Sequence, residues 1–167
     1  MRDTRRAPMG KKKDQKAKDG RTIVAQNRRA KFDYAIAATY EAGLSLLGSE
    51  VKAIRAGDVQ INEAFVLVRN GKAVINNVYV GEYANAAAFP HDARRQRVLL
   101  LNRREIEKLE DAQRLKGMSI VPMALYFKNG WAKIEIGVGK GKTNIDRRDT
   151  VKDRESKREI DRALRRG

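Results

Sequence analysis

A glycine-rich segment near the C-terminus is the part of the sequence that most resembles a catalytic phosphate-binding loop. Residues 137–143 read Gly-Val-Gly-Lys-Gly-Lys-Thr. Such a loop needs four residues between its first glycine and the Gly-Lys pair, and a helix that follows directly. Here the first position is Ile136, and no apolar helical pattern follows. The segment therefore does not predict a nucleotide hydrolase.

Two further groups of residues could support acid–base or metal chemistry, but structural roles explain both. His91, the single histidine, precedes Asp92 in a polar segment, where a structural histidine is the commoner case. The other group mixes carboxylates with basic side chains, as on a solvated helix face; it contains Arg104, Glu105, Glu107, Lys108, Glu110 and Asp111. We find no catalytic constellation and expect no metal or cofactor, so the sequence predicts a protein that is not an enzyme. A nuclease or phosphate-transfer enzyme is the alternative of a different class.

A mixed aromatic and basic strand face is the strongest candidate for binding. Asn129-Gly130 predicts a two-residue hairpin turn, which pairs residue 128 with 131 and residue 126 with 133. Alternation then places one set of side chains on a single face: Tyr126, Lys128, Trp131, Lys133 and Glu135. Rings next to ammonium groups suit base stacking and phosphate binding. A half-solvated sheet surface explains the pattern equally well, and the net charge favours RNA.

The charge of the chain indicates a polyanionic partner. The 167 residues include 37 Lys and Arg against 21 Asp and Glu, which gives a net charge of +16. Residues 1–31 contribute +9 and residues 140–167 contribute +5. Nucleic acid is the first candidate partner and an anionic membrane surface the second. The chain has no cysteine, which excludes disulfides and a cysteine nucleophile. No apolar run is long enough for a membrane helix, and the N-terminus does not resemble a signal peptide.

The elements that must position these residues are mostly strands. Two Asn-Gly pairs predict tight hairpins because both residue types tolerate positive φ angles. The expected strands are 64–69 with 72–75 around Asn70-Gly71, 123–128 with 131–136 around Asn129-Gly130, and two further segments at 32–39 and 97–101. Short strands with few helices predict a mainly β fold, a small antiparallel barrel.

Helices and basic arms flank this barrel. One helix is expected over 49–55, with Ser49 as N-cap, and another from Asn102, with Glu105 completing a capping box, to near Gly117. The segment 149–166 has helix propensity but few apolar residues, so we expect it to be helical conditionally, on a polyanion. We expect three parts: a disordered basic arm at 1–23, a barrel at 24–139, and a basic tail at 140–167.

Four blocks in order resemble one known family. They are residues 41–57, residues 91–101, residues 125–133, and Lys140-Gly141-Lys142 followed by Asp146-Arg147-Arg148 and a charged terminal segment. This pattern, from about Thr22 to the C-terminus, is similar to that of the SsrA-binding proteins, also called small protein B. The resemblance implies an oligonucleotide-binding-type (OB-like) barrel with about three flanking helices.

The resemblance also implies a function. Members of this family bind the tRNA-like domain of transfer-messenger RNA (tmRNA) and enter ribosomes stalled on messages without a stop codon. Translation then resumes on the RNA's own reading frame, which tags the nascent chain for degradation. Contacts with both ribosomal subunits, including the decoding centre and the message channel, are implied. So are an indirect link to elongation factor Tu on charged tmRNA, a monomeric free state, no membrane partner and a bacterial cytoplasmic location. The alternative is a general single-stranded RNA-binding protein or RNA chaperone.

Residue roles follow from the matching positions. Asn27, Glu41 and Leu101 match positions that support RNA binding in the family, although Glu41 and Leu101 could equally be structural. The remaining expected RNA contacts are basic or aromatic: Lys52, Arg55, Tyr126, Lys128, Trp131 and Lys133. In the tail, the expected ribosome-contacting residues are Gly141, as a bend, with Lys142, Asp146, Arg147 and Arg148. The central Lys of the family's Asp-Lys-Arg motif is Arg147 here, which keeps the charge and changes the hydrogen-bond geometry.

Overall fold

The fold was described from a computed structural model, which describes residues 15–16, 20–82 and 91–166. Most of the expected N-terminal arm, residues 1–23, lies outside the described residues. Within them, the strands are β1 (Gln15–Lys16), β2 (Arg21–Gln26), β3 (Tyr34–Leu44), β4 (Val59–Gln60), β5 (Phe65–Arg69), β6 (Lys72–Asn76), β7 (Tyr79–Val80), β8 (Arg97–Leu100), β9 (Met118–Lys128) and β10 (Trp131–Gly141). The helices are α1 (Ala30–Asp33), α2 (Gly48–Arg55), α3 (Arg103–Arg114) and α4 (Asn144–Arg166).

Eight strands form one antiparallel sheet in the order β1-β2-β9-β10-β3-β8-β6-β5, and β4 pairs with β7 separately. The sheet curls so that β5 at one edge contacts β9, and α3 packs against both strands. Gln113 of α3 covers the β5 edge: its amide oxygen accepts from Val68 N–H at 2.7 Å, and its amide nitrogen donates to Val68 C=O at 3.2 Å. The mainly β, OB-like fold is confirmed.

Both predicted hairpins are present with the expected turn geometry. Asn70 and Gly71 have φ angles of 51° and 70°, and Asn129 and Gly130 have φ angles of 51° and 79°. Two consecutive positive φ angles define the type I′ turn, whose twist matches that of the flanking strands. The predicted register of the second hairpin is confirmed as well, with residue 131 opposite 128 and residue 133 opposite 126.

Two strands differ from the sequence prediction. The strand expected at 32–39 begins at Tyr34, after the single turn α1, and continues to Leu44. β2 was not expected as a strand, and it crosses the proposed boundary between residues 23 and 24. Both strands gain their order from partners far along the chain: β2 pairs with β9, and β3 pairs with β10 and β8. A tertiary partner overrides local propensity in this way.

The helix termini are partly as predicted. α3 is capped as expected: Asn102 N–H donates to Glu105 Oε2 at 3.1 Å. α2 begins one residue before the predicted cap, and Leu47 N–H donates to Glu50 Oε1 at 3.2 Å. The prediction of Ser49 as N-cap is therefore wrong, because its hydroxyl is hydrogen-bonded to His91 Nδ1 at 2.9 Å instead.

A buried ion-pair network joins α2 to β8. Glu50 and Arg97 are 0% and 1% exposed, and Arg97 Nε donates to Glu50 Oε2. Arg95 Nε donates to the other oxygen of Glu50 at 2.6 Å. Burial alone would raise the pKa of Glu50, but the hydrogen bonds from Arg97 and Arg95 outweigh burial and hold it below its ordinary value. His91, bonded to Ser49 and to Val80 C=O at 3.2 Å, has the structural role that the sequence favoured.

Candidate nucleic-acid interface

Glu41 lies at the centre of a charged cluster on the outer face of the sheet. Its position on β3 places it opposite Glu135 of β10. Tyr126 of β9 donates its hydroxyl hydrogen to Glu41 Oε2, and Arg21 Nη2 of β2 is 3.5 Å from the same oxygen. Lys128 Nζ is 3.9 Å from Glu41 Oε1. Side chains of two strands, β2 and β9, thus hold the carboxylate of β3 in a fixed position.

The cluster keeps Glu41 ionised. The Tyr126 hydrogen bond is the largest cause that lowers the pKa of Glu41; burial opposes it, and Lys128, Arg21 and Lys133 lower the pKa further. Burial, and then the bond to Glu41, raise the pKa of Tyr126, so the phenol remains a donor. An ionised carboxylate accepts hydrogen bonds only, and it can bind base or ribose donors while the surrounding cations attract phosphate.

Tyr126 is not available for base stacking in this structure, contrary to the expectation for this face. The residue is 1% exposed because β2 lies beside it and Arg21 covers its ring, with the guanidinium carbon 4.7 Å from the ring centroid. What the structure shows for Tyr126 is a hydroxyl that holds the Glu41 carboxylate. Trp131, at the start of β10, is 74% exposed and has a ring that is open to a partner.

An open cleft of about 580 Å³ adjoins Glu41. Three predicted RNA-binding residues line it together: Glu41, Leu101 and Lys133. The other lining residues are Leu99, Leu100, Asn102 and Glu105, which come from β8 and the start of α3. We call these seven residues the Glu41 cleft. Leu101 lines the cleft, is half-buried and packs against the core.

The other predicted RNA-binding residues lie outside this cleft. Asn27 is buried after β2, where its side-chain amide donates to Pro122 C=O at 3.2 Å. The guanidinium carbon of Arg55 lies 5.4 Å from the centroid of the Phe127 ring. Residues 126 and 127 alternate in direction along β9, so Arg55 and Tyr126 are on opposite faces. Lys52 is exposed on the same short helix as Arg55.

The tail begins with contacts to α1. Lys142 donates its backbone N–H to Asp33 C=O at 2.8 Å and its ammonium group to Lys31 C=O at 3.2 Å. Arg147 Nη2 lies 3.7 Å from Asp33 Oδ1, and the guanidinium carbon of Arg154 lies 5.7 Å from the centroid of the Phe32 ring. These contacts set the direction in which α4 leaves the sheet.

The Asp146-Arg147-Arg148 motif lies at the start of α4. Thr143 N–H and Oγ1 donate to Asp146 Oδ2 at 3.0 and 2.7 Å, which lowers the pKa of Asp146. This cap starts the helix at Asn144, five residues before the predicted segment. Arg148 is exposed on the first turns. Gly141 still belongs to β10 and does not have a positive φ, and residues 142–143 connect β10 to α4.

Sequence reasoning missed Arg21 as a member of the Glu41 cluster. The basic residues that precede it predict that Arg21 belongs to the disordered arm at 1–23. The run Thr22-Ile23-Val24 was the available signal, since β-branched residues favour strands.

Among the described residues, no group of three or more His, Asp or Glu side chains could hold a metal ion. None of the helices in the described ranges is long and apolar enough to span a membrane.

Comparison with known proteins places these features in one family. The model of the SmpB protein family matches residues 24–166. The SsrA-binding protein of Anaeromyxobacter dehalogenans (strain 2CP-C) is 48% identical over 145 residues, which cover 87% of this chain and 89% of that protein. The SsrA-binding protein of Thermobifida fusca (strain YX) is 47% identical over 158 residues, which cover 95% of this chain and 99% of that protein.

A solved structure agrees with this match. A chain described under "tmRNA-SmpB: a journey to the center of the bacterial ribosome" superposes with a TM-score of 0.61 at 37% identity. The superposition covers 75% of this chain and 92% of that chain. The family match reaches from the sheet into the tail, and the chain belongs to the SmpB family of SsrA-binding proteins.

Proposed function

We propose that this protein binds the tRNA-like domain of tmRNA and delivers it to stalled ribosomes for trans-translation. The observation that carries this proposal is the family match over residues 24–166, which includes both the curled sheet and the tail. The named relatives are SsrA-binding proteins, and the solved neighbour is a tmRNA–SmpB structure. The comparisons do not favour a general single-stranded RNA-binding protein.

The Glu41 cleft is the proposed RNA site. Glu41 accepts hydrogen bonds from base or ribose donors of a folded RNA, and Lys128 and Lys133 bind adjacent phosphates. Tyr126 and Arg21 hold the carboxylate in place. Trp131 offers an exposed ring for an unpaired base, and Leu101 lines the cleft beside Glu41. Asn27, Lys52 and Arg55 contribute from outside the cleft. Selectivity for folded RNA then depends on geometry, because charge alone attracts any RNA.

The tail is the proposed ribosome-contacting part. α4 has 23 residues, so it is about 35 Å long. The positions assigned to the decoding centre and the message channel are Gly141, Lys142, Asp146, Arg147 and Arg148. The tail holds the position of an absent message, and peptide transfer belongs to the ribosome. The protein therefore acts as an adaptor and not as an enzyme.

The remaining partners follow from this role. Charged tmRNA reaches the ribosome with elongation factor Tu, which makes that factor an indirect partner. Both ribosomal subunits lie within reach when the sheet binds the tRNA-like domain and the tail enters the message channel. We propose that the free protein is a monomer in the bacterial cytoplasm.

The first experiment compares two RNAs of equal length, the tRNA-like end of tmRNA and an unstructured sequence, near 0.15 M salt. We expect a clear preference for the folded RNA, and Glu41→Gln should reduce that preference. Glu107→Gln on the exposed face of α3 is the matched control, since it removes the same charge and should change little. Equal affinity of the wild-type protein for both RNAs, falling together with added salt, would overturn the proposed selectivity.

The second experiment tests the tail in full-length protein. Arg147→Ala/Arg148→Ala should leave binding of the tRNA-like RNA near wild type and reduce tagging on stalled ribosomes. Arg158→Ala/Arg162→Ala removes the same charge further along α4 and serves as the control. If both double variants tag equally well at the wild-type rate, the motif has no special role.

A further inference from the structure

The outer face of the sheet continues from the Glu41 cleft towards the β5–β6 hairpin. Lys133 of β10 lies opposite Gly43 of β3, and Gly43 lies opposite Leu100 of β8. A Cβ atom at Gly43 would approach Leu100 Cβ to 3.2 Å, so the glycine lets the leucine side chain lie directly over the strand. Leu100 is itself a cleft residue and remains 60% exposed. The cleft is thus open on this side.

The row of paired, outward-facing residues that begins at Lys133, Gly43 and Leu100 continues across the sheet to two basic residues. Ala73 of β6 lies opposite Leu99 of β8, and both are buried. The next position along each strand points to the other face, so Lys72 lies beside Leu100 on the outer side. Arg69 of β5 lies directly opposite Lys72 across the turn. From Lys133 to Arg69 the row crosses four strand spacings, about 19 Å at ~4.8 Å each.

This face has two features that are unfavourable for a surface exposed only to water. Phe65 of β5 and Val98 of β8 are 39% and 40% exposed on it, and Val98 lies two residues along β8 from the exposed Leu100. Arg69 and Lys72 place like charges directly opposite each other, which destabilises a strand pair. Neither has an ion-pair partner among the residues that the structure describes. An anionic partner with apolar surfaces would relieve both features.

We propose that this face, the hairpin platform of Phe65, Arg69, Lys72, Val98 and Leu100, binds an unpaired segment of the RNA held in the Glu41 cleft. The inference rests on the proposed function and extends its site. Bases and riboses pack on the apolar side chains, and Arg69 and Lys72 bind the phosphates between them. RNA is favoured over a protein partner because the platform is continuous with the cleft and both of its charged groups are basic.

The first test uses full-length Arg69→Gln/Lys72→Gln and the tRNA-like end of tmRNA as the probe. Loss of two single-strand phosphate contacts should lower the slope of log K against log salt by about 1.4, at ~0.7 per contact. The control, Arg103→Gln/Lys108→Gln on α3, removes the same charge away from the platform. A salt slope equal to that of the control would overturn the inference. The same result is expected if the platform binds a ribosomal protein and not this RNA.

The second test separates this inference from the proposed function. Phe65→Ser should weaken binding of the same RNA at least fivefold, which is about 1 kcal/mol for one stacked base. Its thermal unfolding is measured in parallel to show that the variant is folded at the temperature of the binding assay. Glu41→Gln is measured in parallel. Weaker binding in Glu41→Gln with wild-type affinity and salt slope in the platform variants would reject the platform alone. Failure of the wild-type protein to prefer the folded RNA would reject the proposed function itself.

Discussion

Arg97→Met tests the buried ion pair that joins α2 to β8. Glu50 and Arg97 are almost fully buried, so removal of the guanidinium leaves a buried carboxylate with only Arg95 as an ionic partner. Breaking a buried pair costs about 3–5 kcal/mol. Because Arg95 Nε still donates to Glu50 Oε1 at 2.6 Å, we expect a loss near the lower end, about 3 kcal/mol. Arg97 also donates to Val78 C=O at 2.9 Å, and that bond is lost too.

The assay is urea unfolding followed by circular dichroism. The slope of the unfolding free energy against urea concentration should be the same in all variants. Arg95→Met is the control: its side chain is 30% exposed, so it should cost about 1 kcal/mol. Glu50→Gln combined with Arg97→Met should cost less than the sum of the two single changes by at least ~1 kcal/mol. The reasoning is refuted if Arg97→Met costs no more than Arg95→Met and adds fully to Glu50→Gln.

The same pair predicts a pH dependence. The folded pKa of Glu50 lies below its ordinary value of 4.5, so the pair contributes stability above that pH. This contribution is lost as the pH falls from 4.5 through the folded pKa. Glu50→Gln should therefore flatten the acid side of the stability profile. An identical acid dependence in wild type and Glu50→Gln would contradict the assignment.

Three shorter predictions concern the sheet, the cleft and the tail. Gly130→Ala should cost about 1–2 kcal/mol in urea unfolding, because residue 130 has a φ of 79°. Tyr126→Phe removes the main cause of the low pKa of Glu41, so RNA binding should be lost at a higher pH on the acid side; binding titrations across pH check this. Thr143→Ala keeps the backbone bond to Asp146 but removes both hydrogen bonds of the Thr143 hydroxyl, so it should cost α4 about 1 kcal/mol, seen as reduced helical circular dichroism.

The sequence predicted those parts of the fold that depend on neighbouring residues. The two Asn-Gly hairpins and the Asn102 cap were correct because turn and cap geometry is decided within four residues. β2 and the second half of β3 were missed because their order comes from pairing with β9, β10 and β8. Ser49 shows the same limit, since its hydroxyl bonds to His91, 42 residues away.

The candidate site shows where pattern reasoning ends. Alternation correctly predicted the register of Tyr126, Lys128 and Lys133, but alternation does not reveal what covers a face. Arg21 covers the ring of Tyr126, so the ring is closed to a base. The hydroxyl of Tyr126 donates to Glu41 instead. That change of role depends on β2 lying beside β9. The meeting of Leu101 with Glu41 in one cleft likewise required the pairing of β3 with β8.

The contacts between tail and body are weak enough for a partner to replace them. α4 has no buried residue, so no apolar core holds it to α1. The ion pair between Arg147 and Asp33 is partly exposed at 3.7 Å and contributes at most about 1 kcal/mol. The contact between Arg154 and Phe32 at 5.7 Å adds about 0.5–1 kcal/mol. A polyanionic surface that binds a few of the basic side chains of α4 can replace these two contacts, because each phosphate contact also releases counterions. The hydrogen bonds of Lys142 to Asp33 and Lys31 precede α4 and need not break. α4 can therefore leave this position while the Glu41 cleft stays fixed in the sheet.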